Sequence, residues 1–111
     1  MLQSVIKGIC LAYYASGYNT TEMGQETKNG KQWASNYGIF QISSKYWCNN
    51  EETPDSANGC GIRCKDLLGN DLEPTIMCAN KIVSEKGMEA WSSWVENCKG
   101  KWIGYFTYFC F

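Results

Sequence analysis

Histidine is absent from the 111-residue chain, and with it go the commonest general base near neutral pH and the commonest zinc ligand. The seven cysteines are dispersed, with no C-x-x-C pair, so neither a zinc site nor a thioredoxin-like motif fits. Runs of like charge are missing too, and ten Lys+Arg against eleven Asp+Glu leave a net charge of −1. Nucleic acid and anionic membrane surfaces require a concentrated positive field, so neither is expected as a partner. No stretch approaches the roughly 20 apolar residues of a membrane-spanning helix. Met1 to Cys10 lacks a cationic start and has only a short apolar stretch, so it does not read as a signal peptide. Repeats and low-complexity tracts are absent as well.

What the chain does contain points to a packed, cross-linked domain. Five Trp, seven Tyr and four Phe supply apolar material for one core, and the length suits a single domain spanning 1–111. Cysteines without metal or redox spacing read as disulfides, which imply an oxidising compartment. Their odd number leaves one sulfur free, intermolecular or deprived of its partner. From Ser4 to Tyr18, apolar residues at Val5, Ile6, Ile9, Leu11, Ala12 and Ala15 predict a helix with Ser4 as N-cap and Gly17 as stop. Asn19 to Gln32 is polar, with Gly24 and the hairpin dipeptide Asn29-Gly30 as turn signals. Tyr37 to Ile42 is rich in β-formers and predicts a strand. Asn49 to Gly61 is a loop by composition, and Cys64 to Leu68 suits a short helical turn. Ile76, Met77, Ala79, Ile82 and Val83 share one helical face after Glu73-Pro74, and Gly87 ends that helix. Ala90, Trp91, Trp94 and Val95 recur at helical steps beyond it. A helix, a small sheet with loops, then helices make the fold class α+β.

From Cys48 onward the cysteines run C-x11-C-x3-C-x13-C-x19-C-x11-C, with Cys10 ahead of them. Around them stand Cys10-Leu11-Ala12-Tyr13-Tyr14-Ala15-Ser16-Gly17-Tyr18-Asn19-Thr20, Asn36-Tyr37-Gly38-Ile39-Phe40-Gln41-Ile42, Tyr46-Trp47-Cys48, Cys78-Ala79-Asn80-Lys81-Ile82-Val83-Ser84 and Gly87-Met88-Glu89-Ala90-Trp91. On these motifs, over about residues 4–100, the chain resembles the C-type lysozyme and α-lactalbumin superfamily. The resemblance implies a helical lobe plus a small antiparallel β-sheet lobe, framed by disulfides Cys10–Cys98, Cys48–Cys64 and Cys60–Cys78. It also implies an N-terminally truncated or alternatively spliced chain in which the family's first helix is missing, which leaves Cys110 free. Gly8 falls where the family usually places a core tryptophan, which implies a cavity or a rearrangement. The aromatic tail, residues 101–111, is unlike the family's C-terminus. It reads as an interaction patch or, the favoured reading, as an aberrant exon end, because a large exposed apolar surface is a liability.

Glycoside hydrolysis by the retaining route needs two carboxyls across the scissile bond, one a general acid and the other supporting the oxocarbenium-like centre. The resemblance puts the acid's position at Ala15 and the second carboxylate's at Asn36. Alanine holds no proton and asparagine does not ionise. Glu22 and Glu26, in a loop longer than the family's usual version, are the candidates for a substitute, but a loop residue lacks a rigid pocket to tune its pKa. The binding cleft is better preserved. Tyr46 and Trp47 match the family's stacking aromatics, Trp91 its cleft tryptophan, Gln41 a strand position beside the site, and Glu85 the acidic residue at the cleft's upper edge. Trp94 reads as core.

The family's calcium loop corresponds to Gly69, Asp71, Pro74 and Thr75, where one carboxylate falls short of the 6–8 oxygen ligands that Ca²⁺ takes. Neither a metal nor another cofactor is expected. Modification of a galactosyltransferase is unsupported, because the helix contact pair of α-lactalbumin corresponds to Leu11-Ala12. The reading these residues favour is a secreted, monomeric, non-catalytic protein that binds N-acetylglucosamine-type oligosaccharide or glycoconjugate, resembling lysozyme-like sperm acrosomal proteins. The alternatives are an active muramidase acting on the β-1,4 bonds of peptidoglycan, or a poorly folding, non-functional isoform.

Overall fold

The computed structural model describes residues 2–100, apart from the side chains of residues 2–6, 28, 31 and 32. Cys110 and the aromatic tail therefore lie outside the described residues. The first helix, α1, runs Leu2–Ser16 and buries Cys10, Leu11 and Ala12. Ser4 lies inside it rather than capping it, because the helix already begins at Leu2. Gly17 and Tyr18 end it with φ of 61° and 66°. Their amides return to the carbonyls of Tyr13 and Ala12 at 2.9 and 3.3 Å, satisfying acceptors that a helix end otherwise leaves open.

Three antiparallel strands follow in the order β1-β2-β3: β1 Met23–Lys28, β2 Lys31–Tyr37 and β3 Ile42–Ser43. Asn29 and Gly30, at φ 55° and 78°, make the two-residue turn between β1 and β2, a geometry that suits the twist of a hairpin. The register runs from Lys28 opposite Lys31 to Met23 opposite Tyr37, with a bulge between Glu26 and Thr27. The segment that reads as a polar loop is thus partly a strand. Its pattern is silent because Met23, Gln25 and Thr27 are solvent-exposed while Gly24 and Glu26 are only half-buried.

The strand expected over Tyr37–Ile42 is a correction of the opposite kind: β2 stops at Tyr37 and residues 38–41 turn the chain. Gly38, at φ 80°, lies so close to the Leu67 carbonyl that a Cβ would collide with it. Gln41, at φ 51°, closes the turn with its amide on the Gly38 carbonyl at 3.0 Å. β-Propensity is overridden here by long-range bonds. The Ser16 hydroxyl donates to the Ile39 carbonyl at 2.7 Å, and the Trp91 indole N–H donates to the Phe40 carbonyl at 2.8 Å. The turn therefore joins the helices to the sheet, and Ile42–Ser43 then pairs back onto Tyr37 and Asn36.

Beyond the sheet, Cys48–Asn49 (β4) and Ile62–Arg63 (β5) form a short parallel pair. The loop between them is anchored by Ser44, which is fully buried. Its hydroxyl accepts the Ser35 amide at 3.0 Å and meets the Thr53 hydroxyl at 2.7 Å. The Ser56 hydroxyl donates to the Ser44 carbonyl at 2.6 Å. A 3-10 turn at Cys64–Leu67 leads to α2, Glu73–Lys86, with Pro74 in its first turn and Gly87 at its end, and to α3, Ser92–Asn97. Leu11, Ile42, Leu67, Ile82, Trp91 and Trp94 form the core together with buried half-cystines. The architecture is α+β, helices against a small antiparallel sheet.

Three disulfides cross-link these elements: Cys10–Cys98, Cys48–Cys64 and Cys60–Cys78, with sequence separations of 88, 16 and 18. On the chain-entropy model the first constrains the unfolded chain by between about 4 and 5 kcal/mol and each shorter bridge by about 3. The long bridge ties α1 to the end of α3, so it holds together the helical side on which Ala15 sits.

Candidate functional site: an aromatic cleft

Between the sheet and the start of α3 lies a cleft of about 170 Å³, lined among others by Glu26, Trp33, Asn36, Tyr46, Trp47 and Trp91. Gln41, Ser43, Ile82 and Ser92 complete much of its surface. The structure thus brings together six residues singled out from the sequence: Glu26, Asn36, Gln41, Tyr46, Trp47 and Trp91. Glu85 is not among the lining residues. It lies exposed on α2, its carboxylate 3.5 Å from the Lys81 ammonium, an exposed i,i+4 pair of the kind that contributes about 0.3–0.5 kcal/mol.

The two positions that the family resemblance assigns to carboxylates differ in setting. Ala15 is half-buried on the last turn of α1 and packs against the core. Asn36 sits on β2, opposite Gly24 on one side and Ser43 on the other, and its Oδ1 is buried without a hydrogen-bond partner among the described residues. Gly24 offers no side-chain donor. Its place is occupied by the Gln41 side chain, whose Oε1 lies 2.5 Å from where a Cβ on Gly24 would stand. Gln41 Nε2 donates to the carbonyls of Glu22 and Gly38, each at 3.0 Å. Gln41 therefore braces the sheet rather than offering a free amide to the cleft.

The aromatic residues divide into platforms and walls. Tyr46 is 49% exposed and meets Trp33 edge-on, with ring centroids 5.7 Å apart. Lys45 stands over the Trp33 ring at 5.6 Å and donates to the Pro54 carbonyl at 2.9 Å. Trp47 is half-buried, and Gly59 lies against its ring so closely that a Cβ would come within 2.7 Å. Trp91 is 7% exposed with its N–H spent on Phe40, which makes it a wall of the cleft and a member of the core at once. Trp94 is core, as its spacing implies.

Trp33 carries weight that the sequence did not give it, and Glu26 stands in a different element from the one expected. Trp33 was hidden because the polar segment around it shows no strand period. Glu26, a candidate substitute carboxylate in a segment that reads as a loop, stands instead on β1, opposite Ala34, half-buried and on the cleft. Its Cα register puts it two residues from Gly24, hence on the face that carries Asn36. Glu22 stays exposed just before β1.

Around the family's calcium loop, Asp66, Asp71 and Glu73 border a separate hollow of about 390 Å³. Asp71 Oδ1 accepts the Glu73 amide at 3.2 Å, and the fully buried Thr75 hydroxyl points to the Leu67 carbonyl at 3.4 Å. Among the described residues no three His, Cys, Asp or Glu stand together as metal ligands. No described helix is long and apolar enough to cross a membrane.

A helical part and a three-stranded sheet, flanking an aromatic cleft in a chain cross-linked by three disulfides, define a lysozyme-like α+β protein. The family model described as the C-type lysozyme/alpha-lactalbumin family matches residues 2–110. Lysozyme C from Bufo gargarizans andrewsi is 47% identical over 103 residues, 92% of this chain and 68% of that protein. Lysozyme C-1 from Capra hircus is 43% identical over 96 residues, 86% of this chain and 72% of that protein. Lysozyme C from Crax fasciolata is 45% identical over 100 residues, 86% of this chain and 74% of that protein. The chain belongs to the C-type lysozyme/α-lactalbumin family. It spans 63% to 74% of the length of these and other curated relatives.

Proposed function

We propose that the chain is a non-catalytic, lysozyme-like carbohydrate-binding protein that acts as one domain and takes N-acetylglucosamine-type oligosaccharide into the cleft beside Tyr46, Trp47 and Trp91. The observation that carries this reading is the pair of neutral residues, Ala15 and Asn36, at the family's two carboxylate positions. Loss of a positioned acid removes about 10²–10⁴ in rate, and an amide facing developing positive charge removes electrostatic help besides. Aromatic rings and a few polar groups suffice to hold a sugar: rings cover its C–H faces and polar groups fix its hydroxyls. Three disulfides favour an extracellular setting, with the acrosomal one suggested by resemblance alone, and a monomer satisfies everything the cleft requires.

The competing reading is a working muramidase, and one observation favours it: Glu26 opens into the cleft from a strand. Retaining hydrolysis still needs a second carboxyl, and Asn36 on the same face cannot supply it. The deciding experiment is a chitooligosaccharide titration followed by tryptophan fluorescence, run beside a bacterial cell-wall lysis assay. Saturable binding without lysis is the expected result; lysis by the folded wild-type chain overturns the reading. Restoring both carboxylates, Ala15→Glu with Asn36→Asp, is expected to create measurable hydrolysis, and Ala15→Glu alone to create less.

A further inference from the structure

We propose that the cleft prefers amino sugars whose nitrogen is free and protonated over their N-acetylated counterparts, with Glu26 receiving the ammonium. This deepens the sugar-binding reading and rests on it. The charge inventory of the cleft is the starting point. Its lining consists of aromatic, aliphatic and neutral polar residues, and Glu26 is the single Asp, Glu, Lys or Arg among them. A carboxylate there is not incidental to a flexible loop: the hairpin register fixes it opposite Ala34, one residue before the bulge. It is half-buried, and no described residue makes an ion pair with it. Lys45, next to Tyr46 of the lining, is turned to Trp33 and the Pro54 carbonyl.

A half-buried carboxylate without a cation among the described residues leaves room for one from a ligand. The group that best compensates it is a ligand cation able to donate several hydrogen bonds, because charge-assisted bonds are roughly twice as strong as neutral ones. The rings beside it favour the same ligand, since Trp and Tyr faces attract cations while their apolar surface covers a sugar ring. An N-acetyl group offers one neutral N–H and brings a carbonyl that the carboxylate repels. Asn36, on the same face, is neutral and adds no positive charge. The electrostatics of the cleft therefore select for a cation, and the aromatic walls select for a ring.

The test is calorimetric titration of the full chain with two tetramers of β-1,4-linked glucosamine, one fully N-acetylated and one fully de-N-acetylated, at a mildly acidic pH where the amines are protonated. At low salt the amino tetramer is expected to bind about tenfold tighter, the scale of one charge-assisted hydrogen bond, and the margin is expected to shrink as salt screens the charge. Glu26→Gln should bring the two dissociation constants together, and Glu26→Asp should keep part of the difference, with near-UV circular dichroism confirming that both variants fold. Equal binding of the two tetramers by the wild-type chain, or a preference that survives Glu26→Gln, overturns the inference while leaving a sugar-binding cleft intact. Binding of neither tetramer overturns the sugar-binding reading itself.

Discussion

Filling the space beside Gly8 should stabilise the protein. Gly8 lies in the interior of α1, and a Cβ there would meet nothing within 4 Å among the described residues. It borders a hollow of about 200 Å³ lined by Leu11, Phe40, Ala79, Val83, Met88 and Trp91. Two effects add on replacement. Glycine within a helix is less favourable than alanine by about 0.8–1 kcal/mol, and each further methylene buried contributes about 0.8 kcal/mol. Gly8→Ala is thus expected to gain about 1 kcal/mol. Gly8→Leu, with half of its added surface covered, is expected to gain about 2 kcal/mol. In a domain of this size 1 kcal/mol moves Tm by roughly 4–8 °C, so thermal melting followed by far-UV circular dichroism, with the disulfides intact, resolves both steps. The order wild type, Ala, Leu is the signature of an empty space. A Gly8→Leu protein that melts below Gly8→Ala would refute the reasoning, because it would mean that other atoms occupy the hollow in solution. Trp91 is shared by this hollow and the cleft, so sugar titration of the Leu variant also reports whether the shared wall shifts.

Three further outcomes follow from particular contacts. Ser44→Ala leaves the Ser35 amide and the Thr53 hydroxyl without their buried partner, and is expected to cost about 1–3 kcal/mol by urea denaturation; a loss under a few tenths would show that the loop after β4 does not depend on it. Asn36→Asp alone places a carboxyl where a buried oxygen receives no protein donor, so burial opposes its ionisation and raises its folded pKa above the unfolded value of about 3.9. The unfolded state then releases its proton first, and the variant should lose stability relative to wild type as pH rises from about 4; a gain on the same titration refutes the assignment of that oxygen as unsupported. Millimolar Ca²⁺ should leave Tm unchanged, since a ligand held by the native state alone must raise it, and a rise of several degrees would show that the surroundings of Asp71 form a site after all.

The spacing of Cys10, Cys48, Cys60, Cys64, Cys78 and Cys98, with the residues flanking them, carried the family and with it the α+β fold, because disulfide positions and their neighbours are local and survive in a linear reading. The Glu73-Pro74 start of α2 and its Gly87 stop were equally legible, being signals of consecutive residues, but its buried face was not: Ile76, Met77 and Val83 are exposed, and Thr75, Cys78 and Ile82 are buried. The neutrality of Ala15 and Asn36 is written in the chain as well. The course of residues 38–41 was not. A β-rich run became a turn because Ser16 and Trp91, 23 and 51 residues away, bond its carbonyls, and no window of neighbouring residues contains those donors. β1 was invisible for another reason: a hairpin strand that is mostly solvated shows no period-2 alternation of apolar and polar residues. Its formation moved Glu26 from a loop onto a rigid edge of the cleft and brought Trp33 beside Tyr46. The burial of Trp91, the bracing role of Gln41 and the pairing of Glu85 with Lys81 were likewise decided by packing, since a residue's type fixes what chemistry it offers and the tertiary contacts fix what part of that chemistry remains for a ligand.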